Sequence, residues 1–194
     1  MSGVTMEHSS IRASTDHDRG VITRRDVVVL IYAPRRRASN AKATGLYAHL
    51  GIRALESYLA TNAPDVRVVC LDGEILTENE IREAIATELV SAKFPLLGLS
   101  MILGNYSVSL DLAVYAKSLN ANVLTVAGGP WATELPKQIL ATAECIDLVV
   151  RGDGEEALLA LVRSDNPEHL PGVVCKDSPI LSERSFVPLE HLPR

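Results

Sequence analysis

The chain has 194 residues, a hydrophobic fraction of 47% and a formal net charge of −5, which suits one ordinary-sized domain built on a buried sheet. The acidic balance argues against nucleic acid as the main partner. No apolar run reaches membrane-spanning length and no secretory-signal core is visible; Glu7, Asp16 and Asp18 disfavour a transit peptide, so a cytosolic protein without a membrane partner is expected.

In chain order, residues 1–25 are polar, rich in Ser, Arg, Asp and His, and lack periodicity; they read as a disordered leader. His8 and His17 are isolated there and do not suggest metal binding. An α/β domain is expected over 26–165. It opens with Val27 to Ala33, β-branched and apolar on both faces, as a central parallel strand should be. Pro34 ends the strand. Arg35-Arg36-Arg37 and the residues to Lys42 form a basic loop, read either as a contact for an anionic ligand or partner or as a solvated charge run.

Leu46, Leu50, Ala54, Leu55, Tyr58 and Leu59 mark the first helix, and Asn62-Ala63-Pro64 stops it. Val66 to Leu71 is the second strand, closed by the turn Asp72-Gly73-Glu74. Thr77 and Glu80 form a capping box for a second helix with a buried stripe of Ile81, Ile85 and Leu89. Leu96 to Ser100 is the third strand. The third helix runs from about Ser107 to Leu119, with Val108, Leu112, Tyr115 and Leu119 toward the sheet. Val123 to Ala127 is the fourth strand and a short helix follows from about Glu134 to Thr142. Ile146 to Val150 is the fifth strand; Asp153 and Glu156 are spaced as a cap for a last helix that buries Leu158, Leu159 and Val162. Strands alternating with helices dictate a parallel sheet. Residues 166–194 differ: Gly172 to Leu181 reads as a small hairpin and Phe186 to Pro193 as an extended, linker-like tail.

Cys70, Cys145 and Cys175 are odd in number and far apart, which suggests neither a disulfide framework nor a zinc or iron–sulfur spacing. Each lies in or beside an apolar run and reads as a small buried hydrophobe. Ligands of open α/β sheets bind past the carboxyl ends of the strands. Three loops there hold small or polar residues: Ser100-Met101-Ile102-Leu103-Gly104-Asn105-Tyr106, then Gly128-Gly129-Pro130-Trp131, then Gly152-Asp153-Gly154-Glu155. Gly128 and Gly129 either let a flat ligand approach the backbone or simply make the turn. The loop after the first strand has no G-x-G-x-x-G, and neither a P-loop nor a G-x-S-x-G occurs. The edge suits a large ligand with a flat part and a tail.

From Asp26 to Pro193 the chain resembles the cobalamin-binding domain that precedes the barrel in cobalamin-dependent radical S-adenosylmethionine enzymes. The motifs that carry the resemblance are Leu71-Asp72-Gly73-Glu74, Gly98-Leu99-Ser100 with Gly104-Asn105-Tyr106, and Ala127 to Thr133. Ile146 to Glu155 and Leu170-Pro171-Gly172 complete them. The resemblance implies a Rossmann-like, flavodoxin-like, doubly wound parallel five-stranded sheet with a small C-terminal hairpin. It implies cobalamin on the sheet's C-terminal edge, Ser100 beside the lower nucleotide base, and Gly128 and Gly129 close to the tail. Tyr106 and Trp131 either border the ligand or belong to the core. The D-x-H-x-x-G motif of corrinoid methyltransferases is absent. His49 lies within the helical pattern, so no cobalt-ligating residue is expected in this chain. The C-x-x-x-C-x-x-C motif and the barrel are absent too, so the chain is not expected to cleave S-adenosylmethionine alone.

The expected function is to present a methylcorrinoid to a separately encoded radical S-adenosylmethionine iron–sulfur protein for methyl transfer. The alternatives are a cobalamin-free docking module of the same fold, a flavin or nucleotide at the same edge, or the N-terminal fragment of a longer enzyme.

Overall fold

The computed structural model describes residues 25–35, 48–164 and 170–177. The leader up to residue 24, the basic loop beyond Arg35, and the tail from residue 178 lie outside the described residues. Arg25, assigned to the leader, is tied to the domain: its N–H donates to the Val162 carbonyl (3.2 Å).

Six strands form one sheet: β1 (Val27–Tyr32), β2 (Arg67–Asp72), β3 (Leu96–Ser100), β4 (Leu124–Gly128), β5 (Leu148–Val150) and β6 (Val173–Cys175). Their order is β2-β1-β3-β4-β5-β6. The first five are parallel and β6 pairs antiparallel with β5. The first arm of the expected hairpin therefore extends the main sheet as a sixth strand. The chain leaves β1 toward β2 and then crosses back to β3, so the connections diverge between β1 and β3, the doubly wound switch point where a crevice opens.

The helices are α1 (Leu50–Asn62), α2 (Glu78–Leu89), α3 (Tyr106–Leu119), α4 (Gly129–Glu134), α5 (Pro136–Thr142) and α6 (Glu155–Arg163). Alternation along each strand sends successive side chains to opposite faces. Val29, Ile31, Leu97, Leu99, Ala127 and Val149 face α2, α3 and α5. Val28, Leu30, Tyr32, Leu96, Val126, Leu148 and Val150 face α1 and α6. The Thr77–Glu80 capping box forms as read, and Ile81, Ile85 and Leu89 are buried.

Four local readings change. His49 is not inside a helix: it is the N-cap of α1, its Nδ1 accepting from the Ile52 N–H (3.4 Å). The helix therefore begins at Leu50, which is 79% exposed, while Ile52 takes the buried position. The helix expected from about Glu134 to Thr142 is α5, starting at Pro136, but a further short helix, α4, precedes it over Gly129–Glu134, where a loop was expected. Pro136 disfavours the α conformation at the residue before it, and Leu135 sits at φ −124°, ψ 42°. The Asp153–Glu156 cap does not form: α6 starts at Glu155 behind Gly154, without a side-chain cap, so Asp153 stands one residue too early. Leu161 and Ala157 join Leu158 and Val162 in the buried stripe of α6, and Leu159 is only half-buried.

Candidate functional site

The face toward α1 and α6 is not filled to its C-terminal edge. Along β3 its positions read Leu96, Gly98, Ser100, and along β4 Leu124, Val126, Gly128. The side chains shrink toward the edge, and the space they leave is a cleft of about 350 Å³, within the usual range of ligand sites (about 300–1,000 Å³). Leu30, Gly98, Val126 and Val150 form its floor. His49, Gly51, Ile52 and Leu55 of α1 and its cap form one wall, and Gly154, Glu155 and Leu158 of α6 the other. Ser100, Gly128, Gly129, Pro130, Gly152 and Asp153 stand around the mouth.

The two neighbouring glycines differ. A Cβ on Gly128 would meet no atom within 4 Å, and its φ of −141° is open to any residue. Its missing side chain is what leaves the cleft open. Gly129 has φ +87°, and a Cβ there would lie 3.0 Å from the backbone N and O of Met101 and 3.1 Å from Ser100 Oγ. Gly129 is required by the backbone, where Met101 N–H donates to Gly128 O (2.8 Å) and Trp131 N–H donates to Met101 O (3.1 Å).

Eight of the sequence-derived positions thus meet at the cleft: Ser100, Gly128, Gly129, Pro130, Gly152, Asp153, Gly154 and Glu155. The rest of the loop after β3 does other work. Met101 is fully buried in the opposite core. Asn105 staples the loop: its Nδ2 donates to Ala33 O (3.3 Å) and Ser100 O (3.0 Å), and its Oδ1 accepts from Ile102 N–H (2.9 Å). Tyr106 and Trp131 pack against the opposite core, and Ile102 against the core of the cleft face. Leu103 and Gly104 are exposed on the rim.

Sequence reasoning did not name as site residues Leu30, His49, Gly51, Ile52, Leu55, Gly98, Leu99, Val126, Val150 and Leu158. The small alternate residues Gly98 and Ser100 were the available signal, since period two puts both on one face. His49 is fixed from three sides. Its N–H donates to Asp72 Oδ2 (2.7 Å), its ring stacks on Tyr32 (4.0 Å between centroids), and its Nδ1 caps α1. Burial holds its pKa below the ordinary histidine value, with Asp72 opposing. Asp72 also accepts from Glu74 N–H (3.0 Å), so the Asp72-Gly73-Glu74 turn orders the start of α1. Glu74 in turn pairs with Arg35 (2.6 Å). Burial pushes the Cys70 thiol up to about 12, which leaves it inert as a nucleophile. Among the described residues no cluster of His, Cys, Asp or Glu could hold a metal ion, and no helix is long and apolar enough to cross a membrane. The cleft offers apolar walls, a polar mouth and close backbone, an arrangement that binds and orients.

A family model described as B12 binding domain matches residues 36–162. An anaerobic magnesium-protoporphyrin IX monomethyl ester cyclase of Rubrivivax gelatinosus is 32% identical over 136 residues, 69% of this chain and 24% of that protein. The cobalamin-dependent radical SAM methyltransferase TokK of Streptomyces tokunonensis is 35% identical over 82 residues, 40% of this chain and 12% of that protein. The chain therefore spans about a quarter or less of the length of these two curated relatives. Among solved structures, the cobalamin-dependent S-adenosylmethionine radical enzyme OxsB, with aqua-cobalamin and S-adenosylmethionine bound, superposes with a TM-score of 0.67. The identity is 18%, over 87% of this chain and 24% of that one, a likeness of fold.

Proposed function

This chain belongs to the B12-binding domain family, and from that premise we propose that it holds one cobalamin and presents it to a separate radical S-adenosylmethionine iron–sulfur partner for methyl transfer. The observation that carries the reading is the open space beside Gly128, at the mouth of an apolar cleft between α1 and α6. A flat base on a tail fits such a slot, and the residues around it suit the group. Leu30, Val126 and Val150 offer apolar contact, Ser100 a hydroxyl at the mouth, and Gly128 a bare backbone.

Bound cobalamin supplies the methyl-transfer chemistry, and the protein supplies binding and orientation. The cleft takes the tail, and the loops after β3, β4 and β5 carry the ring across the sheet edge. The partner reading has its own support. Leu50 (79% exposed), Leu103 (71%) and Ile75 (56%) are large apolar residues on the rim of that one edge, beside the Arg35–Glu74 pair. A covering surface there would exclude water from the reacting centre. In the cyclase and in TokK the matching sequence is a quarter or less of a longer protein, which supports a reading in which the catalytic unit is separate from this domain.

The first test is equilibrium dialysis and a visible spectrum after reconstitution with hydroxocobalamin. One equivalent retained per chain is expected, and no retention at micromolar concentration would defeat the cobalamin reading. The second is co-expression with candidate radical S-adenosylmethionine enzymes, followed by size-exclusion chromatography and a methylation assay with each component omitted. Full activity of the partner alone would defeat the presentation role.

A further inference from the structure

We infer that the cleft selects among cobamides by their lower base, accepting a benzimidazole and disfavouring a purine. The inference rests on the cobalamin reading above and concerns which member of that cofactor class the site takes.

The depth of the cleft is apolar. Leu30, Ile52, Leu55, Val126, Val150 and Leu158 bound it, none carries a polar side-chain atom, and all but Leu55 are buried to within a few per cent. The strand backbone of the floor does not substitute for them. Leu30, Gly98 and Val126 lie in the parallel ladder of β1, β3 and β4, where their amides and carbonyls are used between strands. Four lining side chains are polar, Ser100 and Asp153 at the mouth and His49 and Glu155 in the walls, and none of the four is fully buried. The six-membered ring that carries two methyl groups in dimethylbenzimidazole carries ring nitrogens and an amine in adenine. Methyl groups gain from burial among these walls. The purine's polar atoms would leave water without partners there, and buried polar groups without partners are costly. Apolar pockets discriminate against a polar near-isostere by up to about a hundredfold, so a preference of about tenfold or more is expected.

The experiment measures dissociation constants by equilibrium dialysis for three compounds: cobalamin, the adenine-containing cobamide, and cobinamide, which has no nucleotide base. The free cobamides differ in how tightly their own base holds cobalt. The base preference is therefore also compared between the wild type and the near-isosteric Val126→Thr, and between the wild type and Leu55→Gln, so that this solution term cancels. The expected result is cobalamin bound about tenfold or more tightly than the adenine cobamide, and a preference narrowed at least threefold in a variant that places a hydrogen-bonding group in the slot. Circular dichroism identifies variants that fail to fold, and the wild-type ratio then decides alone. Equal affinity for the two cobamides, or a preference kept in full by two folded variants, would overturn the selectivity while leaving the cobalamin reading in place. If none of the three compounds bound, the cobalamin reading would fall and the selectivity with it.

Discussion

The two faces of the sheet are built from the same strands and do opposite things. Toward α2 and α3 the strand positions stay large to the very edge: Leu97, Leu99 and then Met101 are all buried. Toward α1 and α6 the neighbouring positions of the same strand are Leu96, Gly98 and Ser100, and the face opens. A shift of one residue along β3 thus separates a closed core from a binding cleft. Close packing is what makes the contrast sharp, because interiors leave few voids larger than a water molecule. A cleft of about 350 Å³ persists only because glycine and serine stand where Leu or Val would fill it.

The contrast can be broken in order of effect. Leu97→Ala removes a fully buried side chain of the closed face, so a loss of about 2–5 kcal/mol is expected, read from the urea midpoint. A loss below about 1 kcal/mol would mean that this face is less tightly packed than described. Gly128→Leu fills the open face instead. Because nothing lies near its Cβ and its backbone is extended, the urea midpoint should hardly move while cobalamin affinity falls about a hundredfold, or about 2.7 kcal/mol. Unchanged affinity in the folded variant would place the ligand elsewhere.

Gly129→Ala separates the two glycines. Its positive φ and the 3.0 Å approach to Met101 backbone predict a stability loss of more than about 1 kcal/mol, seen in the urea midpoint before any ligand is added. A neutral result would remove the distinction between structural Gly129 and ligand-facing Gly128.

The smallest effect is a pH dependence. Burial holds His49 below its ordinary pKa; Asp72 and Glu74 pull it up and Arg35 pushes it down. The folded chain therefore resists a proton that the unfolded chain accepts. Its contribution is fully present above about pH 6.5 and declines as pH falls through the lower folded value. Protonation would also remove the Nδ1 acceptor that caps α1. His49→Asn keeps a capping oxygen and should flatten the fall in thermal midpoint between neutral pH and pH 5. An identical profile in both proteins would assign that dependence to other groups.

Much of this was legible in the chain. The β-branched run Val27 to Tyr32 could only be a central strand, the Thr77–Glu80 spacing could only be a cap, and the turn glycines marked the edge where the cleft opens. Those features are local: they depend on side-chain period, backbone freedom and hydrogen bonds within a few residues. The motifs after β3, β4 and β5 also pointed to cobalamin through resemblance.

The depth of the site was another matter. Gly98 and Val126 read as ordinary strand residues until the register sets Gly98 beside Leu30 on one side and Val126 on the other. His49 read as helical until Asp72, 23 residues later, took its backbone N–H. Met101, Tyr106 and Trp131 share a loop sequence with the cleft residues yet point into the opposite core. The sequence by itself therefore determined the alternation of strands and helices, the edge at which the cleft opens and the family. Only the tertiary structure decided which face of the sheet stays open, because that depends on how side chains distant in sequence fill, or leave unfilled, the same space.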